Sequence, residues 1–182
     1  MSHSPAPYRL AVLMGSVREG RFCPTVTRWF VGQAVNRSDI ATVDVIDPAE
    51  LNLEDEEFAK RIEAADAIVV VTPEYNHGYP GALKSAIDSL FAEWQTKPVG
   101  FVSYGGISGG LRAVEQLRAV FAELHAVTIR ETVSFHGADA RFDAKGNPLD
   151  ADRVNRAASA LLNQLGWWAE TLRDGRAARA YV

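Results

Sequence analysis

The sequence holds one cysteine, Cys23, in 182 residues, so no internal disulfide can form. A lone thiol fits a reducing compartment. No apolar run approaches the about 20 residues that a membrane-spanning helix needs. Met1 to Pro7 has neither a basic nor an apolar stretch and does not read as a secretory signal. Positive charge is not in excess. The formal net charge is -4, and no basic stripe of the kind that tracks nucleic acid is present. The arginines thicken only at Arg173, Arg176 and Arg179, in an Ala-rich stretch that reads as a frayed, solvated terminus. His3, His77, His125 and His136 show no metal-ligand spacing, so no metal is expected. The expectation is a cytoplasmic single domain over 1–182, with 1–7 and 175–182 as flexible tails. Neither nucleic acid nor membrane is expected as a partner.

What is present is an ordinary globular composition, 47% hydrophobic and 23% charged. A chain of this length buries a core without a metal or disulfide staple. Tyr8 to Met14 (YRLAVLM), Ala67 to Thr72 (AIVVVT) and Val99 to Tyr104 are nearly unbroken apolar runs. Such runs suit strands buried on both faces. Ala41 to Ile46 and Val127 to Phe135 complete five strands. Between them lie helical stripes: Val26, Phe30, Ala34 and Val35 after Pro24; Phe58, Ile62 and Ala65; and Val114, Leu117, Phe121 and Leu124. Pro80 opens another helix as its first residue, with a face running Leu83, Ile87, Leu90, Phe91 and Trp94 and a Lys84–Asp88 pair on another side. A long last helix carries Val154, Ala158, Leu161, Leu165, Trp168 and Leu172, and Gly137 to Pro148 reads as a loop excursion. Alternating strands and helices predict a three-layer, doubly wound α/β domain with a parallel sheet.

In such a sheet ligands bind beyond the carboxyl ends of the strands. Three loops leave those ends: Gly15 to Cys23, Pro73 to Gly81, and Gly105 to Gly110. Gly15 and Gly20 have the spacing of a Walker A loop, but Arg21-Phe22 stands where Lys-Ser/Thr would be. No G-x-G-x-x-G follows the first strand. Nucleoside triphosphate and Rossmann dinucleotide sites are therefore unsupported. The first loop does offer Ser16, Arg18, Arg21 and a helix N-terminus, a setting that favours an anion such as a terminal monophosphate. A plain βα turn with solvated arginines is the alternative. The second loop brings Tyr75 and Tyr79 with polar groups between, and the third brings small residues. Together they suggest a planar heterocycle held between loops; capping aromatics and a solvated Glu74 are the bland alternative. Cys23 reads as a packing residue, since no His partner is identifiable.

These loops carry a resemblance. GSVREGRF after the first strand, PEYNHGYPGALKSAID after the third and SYGGISGG after the fourth are similar to the NAD(P)H-dependent FMN reductases of flavodoxin-like fold. That group includes quinone, azo-dye and chromate reductases. The resemblance covers roughly Tyr8 to Leu172, and the PEYN loop with its P-G-x-L-K helix is its most specific part. It implies a sheet of order 2-1-3-4-5. It implies that Ser16 and Arg18 hold the FMN phosphate. Pro73, Glu74, Tyr75 and Asn76 would lie along the isoalloxazine ring and ribityl chain, and Ser103, Tyr104, Gly105 and Gly106 near the pyrimidine side. Many members carry Ser and Asn where this chain has Arg21 and Cys23. Arg21, or the backbone amides of Phe22 and Cys23, would replace those contacts.

The implied activity passes two electrons from NADPH or NADH through FMN to a small acceptor. Quinones, azo compounds, metal oxyanions and free flavin are all open as acceptors. No catalytic side chain is expected, because the flavin carries the chemistry. The resemblance also implies a homodimer or homotetramer, for which Phe91, Trp94 and Trp167-Trp168 offer aromatic surface. Core burial is the alternative, and Trp168 on the apolar stripe favours it. Two rival functions share the fold: a flavodoxin-like electron carrier, and a flavin-free domain that binds another phosphorylated ligand.

Overall fold

A computed structural model describes residues 6–53 and 55–181. Five parallel strands form one sheet in the order β2-β1-β3-β4-β5. They are β1 (Tyr8–Met14), β2 (Ile40–Ile46), β3 (Ala67–Pro73), β4 (Pro98–Gly105) and β5 (Val127–His136). The helices are α1 (Cys23–Ala34), α2 (Glu56–Ala64), α3 (Gly81–Asp88), α4 (Leu111–Glu123) and α5 (Ala151–Ala178). The flavodoxin-like α/β architecture and strand order expected from the sequence are thus present. Positions 1–5, which include His3 and most of the expected leading tail, lie outside the described residues.

Strand periodicity divides the central strands between two cores. Leu10, Val12 and Met14 of β1, with Ala67, Val69 and Val71 of β3, face α1 and α5 and pack around Phe30, Leu161 and Leu165. The intervening Ala11, Leu13, Ile68 and Val70 face the other way, toward Phe58, Leu83, Trp94 and Phe121. Every residue of β3 is buried, which explains its unbroken apolar run. At Gly100 of β4 a Cβ would stand 3.3 Å from the Leu161 side chain, so α5 presses close to the sheet there.

Some expected boundaries shift. Pro80 caps α3 in an extended conformation (φ -61°, ψ 139°) and the helix begins one residue later. The expected stripe holds through Leu83 and Ile87, which are buried, but the helix stops at Asp88. The Trp94 indole N–H donates to the Ile87 carbonyl at 3.0 Å and takes up an acceptor at the helix end. A 3-10 turn at Ala92–Trp94 swings that ring fully into the core, between Phe58 and Phe121. Phe91 is left 55% exposed. In α1 the stripe ends at Ala34, because Val35 is the cap residue and points outward.

The stretch from 175 onward is helix as far as Ala178, where a tail was expected. Arg176 donates to the Thr96 carbonyl at 2.6 Å, and Arg173 to the Ala6 carbonyl at 2.7 Å. Both arginines lie within 4 Å of buried Asp66, which also accepts from the Arg9 amide. Beside them Lys97 is buried and donates to the Ile62 and Glu63 carbonyls at the end of α2. These charges sit at the amino end of the sheet.

Candidate functional site

The order β2-β1-β3 places the switch point between β1 and β3. Their following loops therefore leave the sheet side by side, and a cleft of about 410 Å³ opens between them. That volume lies in the range of small-molecule sites, roughly 300–1,000 Å³. The first loop gives the cleft Arg18, Arg21 and Phe22; the second gives Pro73, Glu74 and Tyr75; the third gives Gly105 and Gly106, below Tyr104 of β4. Ser16, Cys23, Asn76 and Ser103, the other expected contacts, do not line it.

Each of those four has a visible task. Ser16 is fully buried and shares a 2.7 Å hydrogen bond with the Tyr75 hydroxyl. The Cys23 thiol is buried and donates to the Val71 carbonyl at 3.4 Å. Burial pushes that thiol up from its ordinary value, so it is a packing residue and a poor nucleophile. Asn76 and His77 are the tip of a tight turn with φ of 51° and 74°. Tyr75 and Gly78 exchange both backbone hydrogen bonds across it. A turn with two left-handed central residues suits Asn, and His tolerates it better than most. Ser103 donates to the Gly109 carbonyl at 2.8 Å, and Ser134 does the same. Together they pin the third loop to β4 and β5.

The two arginines of the first loop differ. The Arg18 side chain is exposed and makes no hydrogen bond or ion pair with any described residue; only its backbone carbonyl is engaged, accepting from the Arg21 amide at 3.2 Å. Arg21 is mostly buried and paired with Asp47 at the end of β2. Its charge is therefore compensated. α1 begins beside them with no side-chain cap and no acid in its first turn; Pro24 has no N–H and the Thr25 and Val26 amides bond to the Phe22 carbonyl, so the loop offers an anion the Phe22 and Cys23 amides and the helix dipole.

Two polar atoms of the cleft walls are buried without a hydrogen-bond partner: the Arg21 Nε and the Tyr104 hydroxyl. Burial first, and the Cys23 thiol second, push the Tyr104 phenol above its ordinary value, so it stays a proton donor. Leaving such groups unpaired costs about 1–3 kcal/mol each, a cost that a polar ligand would remove. A Cβ at Gly106 would meet nothing within 4 Å, so the backbone there is open to a flat ligand. This donor set, the open glycine and the uncapped helix fit a flavin mononucleotide.

Sequence reasoning missed three contributors. Asp47 neutralises Arg21 from the end of β2. Arg112, in the first turn of α4, pairs with Glu74. Gly137, Ala138 and Asp139 form the far rim, on a 3-10 turn of the expected excursion. Phe142 fixes that excursion, with its ring 5.2 Å from Phe22 and 4.8 Å from Phe135. The Gly, Asn and Pro punctuation of Gly137 to Pro148 was its sign in the sequence. Among the described residues no group of three metal-ligating side chains forms, and no helix is long and apolar enough to cross a membrane.

Comparison with known proteins agrees with the geometry. A family model described as NADPH-dependent FMN reductase matches residues 8–140. An NAD(P)H-dependent FMN reductase of Schizosaccharomyces pombe is 39% identical over 121 residues, 56% of this chain and 60% of that protein's length. An NADPH:quinone oxidoreductase of Arabidopsis thaliana is 30% identical over 175 residues, 85% of this chain and 89% of its own. Among solved structures, a flavoenzyme NAD(P)H:(acceptor) oxidoreductase of Paracoccus denitrificans superposes with a TM-score of 0.68. It covers 90% of this chain and 98% of its own at 22% identity, which shows a shared fold.

Proposed function

The chain belongs to the NADPH-dependent FMN reductase family, and from that premise we propose that it is an FMN-containing oxidoreductase that takes electrons from NADPH or NADH. When bound, FMN supplies the redox chemistry, accepting a hydride from the nicotinamide and returning two electrons to a small acceptor. A quinone, an azo compound, a metal oxyanion or free flavin would serve as acceptor.

The chain's own residues bind and orient. Arg18, the Phe22 and Cys23 amides and the α1 dipole would hold the phosphate. Ser16 would join them by exchanging its Tyr75 partner for a phosphate oxygen. Arg21 would offer its unpaired Nε, with Asp47 limiting the net charge. Pro73, Glu74, Tyr75 and Asn76 would form the loop along the ring and ribityl chain. Tyr104, Gly105 and Gly106 would border the pyrimidine edge, where backbone N–H groups would favour negative charge as an oxyanion hole does. Ser103 holds that loop in place. No side chain is needed as nucleophile.

The observation that carries this reading is the pair of buried, unpartnered donors, Arg21 Nε and the Tyr104 hydroxyl, in a cleft at the switch point. The test is the visible spectrum of the purified protein supplied with FMN and then, without oxygen, with NADPH and NADH in turn. A bound-flavin spectrum that bleaches supports the reading and ranks the donors. Bound flavin that neither nucleotide reduces would make the protein an electron carrier. Failure to bind FMN would overturn the reading.

A cytoplasmic homodimer or homotetramer is part of the same proposal. The lone buried thiol supports a reducing compartment, and exposed Phe91 and Trp167 support an interface. Trp94 does not, since it is core. Trp168 is half-buried against the α5 core.

A further inference from the structure

Glu74 is the acid of the second loop, and its side chain is only 5% exposed in the wall of the cleft. Three groups hold it or its turn. The Ser108 hydroxyl donates to one carboxylate oxygen. Arg112 donates through Nε at 2.6 Å to the other and forms an ion pair with it. The remaining Arg112 nitrogen, Nη1, meets His77 Nε2 across the turn, and Gln116 of the same helix donates to the His77 carbonyl at 2.9 Å. The start of α4 thus grips the second loop by two side chains, while Glu74 N–H bonds to the Tyr104 carbonyl at 3.1 Å. Burial alone would push the Glu74 carboxyl up. Ser108 and Arg112 outweigh it and hold the group below its ordinary value, so the carboxylate stays charged.

A buried carboxylate in that wall would oppose added negative charge in the cleft. Resting on the FMN reading, we propose that Arg112 is a positioning residue for the flavin: it fixes the Pro73–Gly78 turn through Glu74 and His77, and it cancels the Glu74 charge so that the cleft accepts the more electron-rich form of the cofactor. Arg112 is not catalytic, because it does not line the cleft. Its effect is exerted through Glu74.

The experiment measures the midpoint potential of FMN bound to the native protein and to Arg112→Met, Arg112→Lys and Arg112→Met/Glu74→Gln. Loss of the guanidinium is expected to weaken binding of reduced FMN about tenfold more than that of oxidised FMN. For a two-electron couple this lowers the potential by about 30 mV. Arg112→Lys, which keeps the charge, stays near the native potential. The double variant returns toward it, because the uncompensated acid is gone. A merely structural role would lower the unfolding midpoint without this reversal by Glu74→Gln. Native protein that binds FMN, with Arg112→Met at the native potential or unrescued by Glu74→Gln, overturns the inference alone. Native protein that fails to bind FMN overturns the functional reading and this inference with it.

Discussion

The hydroxyls of Ser16 and Tyr75 lie 2.7 Å apart and join the loop after β1 to the loop after β3. Ser16 is fully buried, so its hydroxyl depends on this partner, which under the proposed function competes with the FMN phosphate for it. Tyr75→Phe removes the competitor and leaves Ser16 unpaired. We expect unfolding free energy to fall by about 1 kcal/mol, while affinity for FMN rises several-fold and affinity for riboflavin does not. Denaturant melts and flavin fluorescence titrations check both. A loss of FMN affinity equal to the loss for riboflavin would place Tyr75 against the ring and leave Ser16 out of phosphate binding.

Arg18 and Arg21 look alike in the sequence, but among the described residues only Arg21 of the two forms an ion pair. A charge-assisted hydrogen bond to phosphate is worth about 1.5–3 kcal/mol. Arg18→Ala should therefore weaken FMN binding roughly ten- to a hundredfold and leave riboflavin binding nearly untouched. Asp47→Asn should strengthen FMN binding, because it releases the charge of Arg21. Isothermal titration of both flavins separates these outcomes, and unchanged FMN affinity in Arg18→Ala would remove that residue from the phosphate site.

The glycines of the third loop divide by task. At Gly110 (φ 85°) a Cβ would lie 2.6 Å from the Ser103 Cβ and 2.9 Å from the Tyr104 backbone nitrogen. Gly110→Ala combines left-handed strain with overpacking and should cost about 3 kcal/mol. Gly106→Ala meets only open space and should leave the melting temperature near native. Its methyl group would stand in the ligand's path, so flavin affinity should fall instead. Thermal melts beside flavin titrations test the division.

Lys97 gives the fold a pH signature. Burial, and then the nearby Arg176 charge, push its ammonium down to about 8. An unfolded chain keeps the lysine proton to about pH 10.4. Between those values the unfolded state binds more protons, so Lys97 makes stability rise with pH, by up to about 1.4 kcal/mol per unit. The native protein should gain more than about 1 kcal/mol on Lys97→Met between pH 7.5 and 9.5, read from guanidinium unfolding. A constant difference across that range would show that Lys97 titrates normally.

The strands were legible because β1, β3 and β4 are buried on both faces and tolerate almost nothing polar. The helices were legible by their stripes, as in Phe58 and Ile62 of α2. Trp94 shows the limit. It continues the helical spacing of α3, yet its ring reaches the core by leaving the helix, and a period cannot distinguish the two routes. In the site, the glycines, Arg18 and the PEYN turn were visible because local backbone chemistry or a local motif marks them. Asp47 and Arg112 were not. Each is an ordinary charged residue whose meaning lies in a partner 26 or 38 residues away.

The alternation of strands and helices, the three loops at the carboxyl ends and the family those loops resemble could all be read from the chain alone. All of these are written in short-range pattern. Tertiary structure alone decided which charges are spent and which remain. It paired Arg21 with Asp47, Glu74 with Arg112 and Ser16 with Tyr75, left Arg18 exposed at the cleft and buried the Tyr104 hydroxyl in its wall without a hydrogen-bond partner. The reason is physical: a charge or a hydroxyl has its effect through what lies within a few ångströms, and in a parallel sheet those neighbours come from distant segments joined by crossover helices.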